Sequence, residues 1–504
     1  MKQAQTDMQR AAWGVALVLL VAPTVLSAAE IHVAPGGSPE GDGSRAKPLD
    51  LATALSTKSP AEPGDTILLA AGTYRGGFVS HLEGTADKPI TVRPIGNKRA
   101  TIDAVGQKGS GLSIRGAWTE WRGIEVTCSD PKRTSRIRGP LGEAFQRPTG
   151  ILVRGMDLRL VHCVVHDCGH GINSWTESRG AEIYGCIVYN NGWQGPLTGH
   201  GRGIRAQNRS GIKHIADNII FNNFAYGLHV YTDISHIRSL TVDGNVAFNN
   251  GCLAKLDQRA ANLFIGSPEQ PARGMVFTNN HAWHDHQTAT TAQLGMGLAN
   301  RDLVATDNIL VGLTRVMGWK DIVLHSNTFI SAATAMEFHL PKATKVAEHS
   351  WDKNRYYCRR SDWSPFALYT ATSGGGLDFA GWQRQSGFDA GSTFHAAWPK
   401  ITQVAVRPSR HTSGRANIIV YNWGGDKQVE VDLKSVLPVG TEYVVLSAQD
   451  PFGKPVLNDM FDGKPLSIPT AGRKAAPPVG GSPSAPPVTG PLFNVFVLVP
   501  LGEP

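Results

Sequence analysis

The chain has 504 residues, 41% of them apolar, so it can bury a large core and is not a disordered polymer. Its 56 Gly and 31 Pro follow no three-residue period, which excludes a collagen-like rod, and a charged fraction of 18% suits short strands better than long helices. The net charge of +8 is modest and no Lys/Arg run marks a nucleic-acid surface, while six Cys allow one or two bridges rather than a disulfide scaffold.

The chain opens with Lys2 and Arg10 around a short polar start, then an apolar run from Ala11 to Leu26, then the small residues Ser27-Ala28-Ala29. This three-part pattern predicts a secretory signal peptide over residues 1–29. The apolar run is shorter than the ~20 residues of a membrane span. The mature protein is therefore expected to be soluble, secreted or periplasmic, with no membrane partner and in a compartment that permits disulfides.

The middle of the chain repeats itself. LVHCVVHDCG from Leu160, IYGCIVYNNG from Ile183, IADNIIFNNF from Ile215, VDGNVAFNNG from Val242, FTNNHAWHDH from Phe277, ATDNILVGLT from Ala305, LHSNTFISAA from Leu324 and HSWDKNRYYC from His349 align. Six copies share one Asn column: Asn218, Asn245, Asn280, Asn308, Asn327 and Asn354, with Cys163 and Cys186 in the same column of the two earliest copies. The intervals vary, so constant cores are joined by loops of different length. Asn tolerates the left-handed backbone of a sharp corner and can bond the same Asn one coil away. Stacked polar corners with Val, Ile and Phe between them predict coils of parallel strands. A second strand follows each corner: TGILVR, HGINSW, RGIRAQ, YGLHVY and ANLFIG.

With its opening segments IHVAPGGSPEGDGS, PLDLATAL and PGDTILLAAGTYRGGF, the chain resembles the right-handed parallel β-helix proteins of pectate-lyase-like fold over roughly residues 30–394. The resemblance implies an all-β fold and a carbohydrate-active role. It leaves the reaction open, because the fold hosts lyases, hydrolases, epimerases and adhesins. From about Trp398, IIVYNW, VEVDL, EYVVLSAQD, LSIP and FNVFVLVP alternate like antiparallel strands. A small C-terminal β-sandwich over 395–504, with a loop from Ala475 to Pro491, is expected to cover the end of the β-helix and to supply no catalytic group.

Cys163 is expected to stack on Cys186, and Cys128 on Cys168, each within reach of a disulfide if the side chains turn toward each other. Asp217, Asp243 and Asp307 recur at or near the corner and read as turn acids.

Strand alternation turns the second-strand alignment into a surface map. With Ile151, Ile172, Ile204, Leu228 and Leu263 inward, one outward column reads Leu152, Asn173, Arg205, His229, Phe264. The next reads Arg154, Trp175, Gln207, Tyr231, Gly266. The loop carrying Trp193 and His200, and the insertion Ser129–Pro148 with its four Arg, are expected to form the walls. This patch is basic and phenolic, without a carboxylate, which favours β-elimination on a uronate sugar. Arg205 would hold the acidic group, assisted by Asn173 or Gln207. His229 or Tyr231 would act as base, Tyr231 as proton donor, and His200 as a candidate for either role. Trp175, Trp193 and Arg154 would bind sugar.

Hydrolysis is the alternative. GHG at Gly199–Gly201 followed by GIR resembles a polygalacturonase motif, but the paired aspartates that accompany it are not recognisable. Asp167, Glu177, Asp233 and Asp257 are the other acids close in the repeat. A non-catalytic carbohydrate-binding protein is the third reading. No Cys spacing resembles a zinc site and no acid cluster resembles a Ca2+ cage, although Ca2+ assists some lyases of this fold. The expected partner is an acidic polysaccharide or oligosaccharide, with no cofactor, no nucleic acid and a monomeric state.

Overall fold

Three long sheets, each of twelve strands, run side by side along the chain. The computed structural model describes residues 28–136, 147–255, 260–285, 289–297, 299–340, 349–359, 364–370 and 372–502. The signal-peptide reading, for all but its last two residues, and Asp257 lie outside the described residues.

One coil shows how the repeat folds. Lys213–Ala216 lies in the first sheet, Ile219–Phe221 in the third and Tyr226–Val230 in the second; a loop then returns to the first sheet at Ile237–Asp243. Each strand pairs in parallel with its counterpart one coil away, as Ile215 does with Val242 and Ile219 with Val246. Inward aliphatics such as Ile204, Ile215, Ile220, Leu228 and Val242 are fully buried in one continuous core. This is a parallel β-helix.

The Asn column stacks along the corner between the first and third sheets. Asn218, Asn245, Asn280, Asn308 and Asn327 each donate through Nδ2 to the Oδ1 of the next, at 2.8–3.1 Å, and the ladder ends at Asn354. Each Oδ1 also accepts from the backbone N–H one coil earlier, as Asn218 Oδ1 does from Cys186 at 2.9 Å. The left-handed residue is the one before the ladder Asn, not the Asn itself: Asp217, Asn279 and Asp307 have φ of 53°, 53° and 60°. Asp217 and Asp307 are thus turn residues. A second ladder, Asn191–Asn223–Asn250–Asn262, holds the corner between the third and second sheets, again with a left-handed residue ahead of the first three members at Asn190, Asn222 and Asn249.

The cysteine expectation is corrected. All six Cys are free. Cys163 and Cys186 stack inside the core as thiols, and Val126 pairs with Val165, which puts Cys128 level with Asp167 rather than Cys168.

The last strand of the β-helix is Thr393–His395, and the antiparallel unit begins at Gln403. Its five-stranded sheet faces a two-stranded sheet across a separate core. It does not cover the end of the β-helix. Its outer face packs along the flank of the third sheet, where Ile419, Tyr421, Phe493 and Val495 meet Tyr189, Phe221, Phe248 and Trp283. The Trp283 and Phe493 rings stack at 5.1 Å. The helix ends are closed otherwise: Leu51–Leu55 covers the first coils, and Phe379–Ser386 inserts Trp382 beneath Phe366 at the last. Among the described residues no helix is long and apolar enough to cross a membrane.

Candidate functional site

The second sheet carries the predicted columns on its outer face. Leu152 pairs with Asn173, Asn173 with Arg205, Arg205 with His229 and His229 with Phe264, in adjacent coils. Two residues on along the same strands come Arg154, Trp175, Gln207, Tyr231 and Gly266.

The side chains are less open than a solvated sheet face. Phe264 is buried, and its ring meets His229 at 4.9 Å and Tyr226 at 5.3 Å. His229 is only 3% exposed, sandwiched between Tyr226 and Tyr231 at 4.4 and 4.7 Å. Its Nδ1 accepts a hydrogen bond from Arg202 Nε at 2.6 Å. Burial, then the charges of Arg202, Arg205 and His170, hold the imidazole well below its usual pKa. The ring is therefore neutral with its proton on Nε2, and the Nδ1 lone pair is committed to Arg202. That arrangement makes His229 a support for the arginine, not a free base, and corrects one expectation.

Gln207 is also corrected. It is buried and donates through Nε2 to the Tyr231 carbonyl at 3.2 Å, so it clamps adjacent strands. Beneath this corner the buried ammonium of Lys213 donates to the carbonyls of Trp175 and Gln207 at 2.8 and 2.6 Å and to Ser178 Oγ at 2.8 Å. Arg154 is exposed at the lower end of its column.

Arg205 is the centre of the patch. Its guanidinium carbon lies 5.4 Å from the Trp175 ring centre and 5.7 Å from that of Tyr231. A carboxylate does reach the patch: Asp233, in the turn after Tyr231, is 3.8 Å from Arg205 and accepts from the Tyr231 hydroxyl at 2.6 Å. Burial and then Asp233 push the Tyr231 phenol up to about 12, so its proton stays in place at neutral pH. Four buried polar atoms around Arg205 have no hydrogen-bond partner among the described residues: Asn173 Oδ1, Trp175 Nε1, His170 Nδ1 and Arg205 Nε. Buried polar groups are normally satisfied, so these four are places for ordered water or for a ligand's polar groups.

His170, Arg202 and Tyr226 were not in the predicted columns. They occupy a third outward column, with Arg202 opposite Tyr226. Period-two alternation misses them because Gly171, Gly203 and Gly227 turn inward beside the equally inward Ile172, Ile204 and Leu228. A Cβ on Gly203 would sit 2.5 Å from Ile220 Cγ2 and 2.8 Å from the ladder amide of Asn223, so this close approach requires glycine. The recurring His-Gly, Arg-Gly and Tyr-Gly at the strand starts was the available signal.

The walls differ from expectation. Trp193 and His200 face each other across a two-stranded hairpin, their rings stacked at 5.4 Å, and Trp193 meets His170 edge-on at 6.0 Å. Residues 137–146 of the Ser129–Pro148 insertion lie outside the described residues. Its Arg133 and Arg147 are buried and bond backbone carbonyls, including those of Asn190 and Cys128. Asp167 belongs to that structural network: it pairs with Arg133 and His166 and accepts from Val479 N–H in the C-terminal loop. It is not an acid of the patch. Among the described residues no three His, Cys, Asp or Glu side chains are placed to hold a metal ion.

Residues 119–267, which include the whole patch, match a family model described as right handed beta helix region. The fold is a right-handed parallel β-helix. A curated relative, pectate lyase L of Thermoclostridium stercorarium, is 25% identical over 232 residues, covering 44% of this chain and 18% of that protein. The chain thus spans less than a fifth of that relative's length. Among solved structures, pectate lyase Pel9A is 16% identical with a TM-score of 0.41, covering 65% of this chain and 80% of that one. The GH136 lacto-N-biosidase from Eubacterium ramulus is 13% identical with a TM-score of 0.45, covering 73% and 67%.

Proposed function

We propose that the protein is a secreted enzyme that cleaves an acidic, uronate-containing polysaccharide by β-elimination. One observation carries this reading. Arg202 and Arg205 project from the same strand, both desolvated enough to lower their pKa, while the carboxylate beside Arg205, Asp233, is 63% exposed. Cationic charge held in a partly buried site favours an anion, and guanidinium matches a carboxylate through paired hydrogen bonds. The unsatisfied Asn173 Oδ1 and Trp175 Nε1 beside it suit sugar hydroxyls. The sequence relation to a pectate lyase supports the same reaction class.

In this reading Arg205, with Arg202 behind it, holds the uronate carboxylate and stabilises the enolate-like charge as it develops. Asp233 takes the proton from the carbon next to the carboxylate. The bond from the neighbouring carbon to the glycosidic oxygen breaks as a carbon–carbon double bond forms, and the Tyr231 hydroxyl protonates the departing oxygen. The proton on Asp233 then returns to Tyr231 along their hydrogen bond, which restores both groups.

Hydrolysis would instead need two carboxylates about 5–9.5 Å apart across the bond. Glu177 and Asp233, the acids beside the patch, lie in turns two coils apart, and the paired arginines have no part in that chemistry. The test is incubation with polygalacturonate, alginate and a neutral xylan. Ultraviolet absorbance from an unsaturated uronate on an acidic polymer is the expected result. Reducing sugar without that absorbance would establish hydrolysis, and binding without cleavage would establish a binding protein.

A further inference from the structure

The outer face of the second sheet continues past Phe264. The column of Arg205 and His229 goes on through Gln293, Arg315 and Glu337, each paired with the next. Glu337 is five strand spacings from Arg205, roughly 24 Å. Here a second polar cluster forms. Arg315 Nε donates to Glu337 Oε2 at 2.6 Å and Nη1 to Thr290 Oγ1 at 3.1 Å. His339 Nε2 lies 3.9 Å from the same Glu337 oxygen, and its ring stacks on Tyr369 at 4.4 Å. Arg315, His339 and Tyr369 are each about one-third exposed at 36%, 32% and 37%, so the stacked rings and the edge of the ion pair face solvent. Beside them a cleft of about 390 Å3 opens between Thr334, Glu337, Ser364, Tyr369 and Gly376. Gly376 lets Ser364 pack against that wall, since a Cβ there would lie 2.3 Å from Ser364 Oγ.

We propose that Arg315, Glu337, His339 and Tyr369 form a second saccharide-binding site, so that one polysaccharide chain lies along the helix axis from Trp175 to Tyr369. This rests on the reading of the Arg205 patch as the reacting end. The chemistry of the two ends differs. Arg315 and Glu337 cancel in charge, so the distal site does not select an acid group. It offers fixed donors and acceptors to hydroxyls and a flat ring surface to a sugar face. Gln293 bridges the two ends along the same column. The enzyme would then act within long chains and gain little from this site on short ones.

The test compares the parent with Tyr369→Ala and Glu337→Gln on long-chain polygalacturonate and alginate and on their trisaccharides, which are too short to bridge the two ends. KM on the polymer should rise about three- to tenfold, the worth of one stacking contact, with kcat held and with no change on the trisaccharide. Arg205→Ala should impair both lengths. Unchanged polymer KM in both distal variants, or equal losses on polymer and trisaccharide, would overturn the proposal while leaving the Arg205 reading intact. If the parent cleaves neither polymer, retardation of each variant in polymer-containing gels decides. Weaker retardation of Tyr369→Ala would uphold the distal site and sink the lyase reading, and a parent that neither cleaves nor is retarded would overturn both.

Discussion

Arg202 Nε donates to His229 Nδ1 at 2.6 Å, one coil apart on the outer face of the second sheet. The pair fixes both partners: the imidazole keeps its proton on Nε2, and the guanidinium is held beside Arg205. A histidine placed where a base would sit is thereby committed to orienting a cation.

This relationship predicts how His229 variants divide. Asn at this position can present its Oδ1 near the place of Nδ1, so His229→Asn should keep most turnover. His229→Ala should remove the support from Arg202 and raise KM roughly tenfold or more, because a buried charged donor is left unmatched. Since the imidazole is neutral well below its usual pKa, the parent's pH–rate profile should show no inflection from it near 6.5. Steady-state kinetics of the two variants across pH checks this; equal loss in both would return His229 to the role of base.

Tyr231 and Asp233 carry the proton in the proposed elimination, through their 2.6 Å hydrogen bond. Tyr231→Phe and Asp233→Asn should each lower kcat by about 10²–10⁴-fold with modest effect on KM. The double variant should be scarcely worse than either single one, because the two groups act as one relay. Kinetics on whichever acidic polymer is cleaved provides the measurement. Additive losses would separate the two residues into independent roles.

Much of the coil architecture was legible because the physics repeats. Ile172, Ile204, Leu228 and Leu263 recur at one inward position, so Asn173, Arg205 and His229 could be placed in one column from alternation alone. Asn218 to Asn354 announced the first ladder through a shared column. The second ladder was present as the doublets Asn190-Asn191, Asn222-Asn223 and Asn249-Asn250, in which one Asn takes the left-handed backbone and the next the ladder. Arg202 and His170 were hidden by the inward glycines that break strict alternation. Asp233 was named only among the acids close in the repeat and not as part of the patch, because it lies in a turn, where period two says nothing about direction. The docking of the antiparallel unit was written in Tyr189, Phe221, Phe248 and Trp283, an aromatic at the same outward position of successive copies, but an outward aromatic does not name what covers it.

The first ladder should bear heavily on stability. Asn280 Oδ1 accepts from Asn245 N and Nδ2 at 3.1 Å each, while its Nδ2 donates to Val242 O at 2.9 Å and Asn308 Oδ1 at 3.0 Å. Asn280→Ala removes these four buried hydrogen bonds, leaving Asn245 N without its ladder acceptor and Asn245 Nδ2, Val242 O and Asn308 Oδ1 each one bond short. A loss of about 3–5 kcal/mol is expected, since each buried unsatisfied group costs about 1–3 kcal/mol. Equilibrium denaturation of the variant checks it. Asp307→Gly, which replaces the left-handed residue beside Asn308, should cost far less, because glycine adopts that backbone readily.

The flank between the β-helix and the antiparallel unit should respond to acid. Glu182 in the first sheet pairs with Arg410 and lies 3.2 Å from His411 Nε2. Burial alone would raise its pKa, but hydrogen bonds from His411 and Arg410 and their charges outweigh that and hold it down to about 2, from an ordinary value of 4.5. A carboxyl depressed in the folded state stabilises the protein above its unfolded value and loses that contribution as pH falls through the folded one. The window is therefore pH 4.5 down to about 2, and the contribution at neutral pH is at most about 3 kcal/mol. Glu182→Gln should lower the melting temperature at pH 7 and flatten its fall across that window relative to the parent. Asp217, which pairs with Arg407 as Asp243 does one coil on, shifts the other way under burial, so the comparison must be parent against variant rather than one acid melt alone. Parallel curves for the two proteins down to pH 2 would show that the Glu182–Arg410 contact is too solvated to tie the two units together.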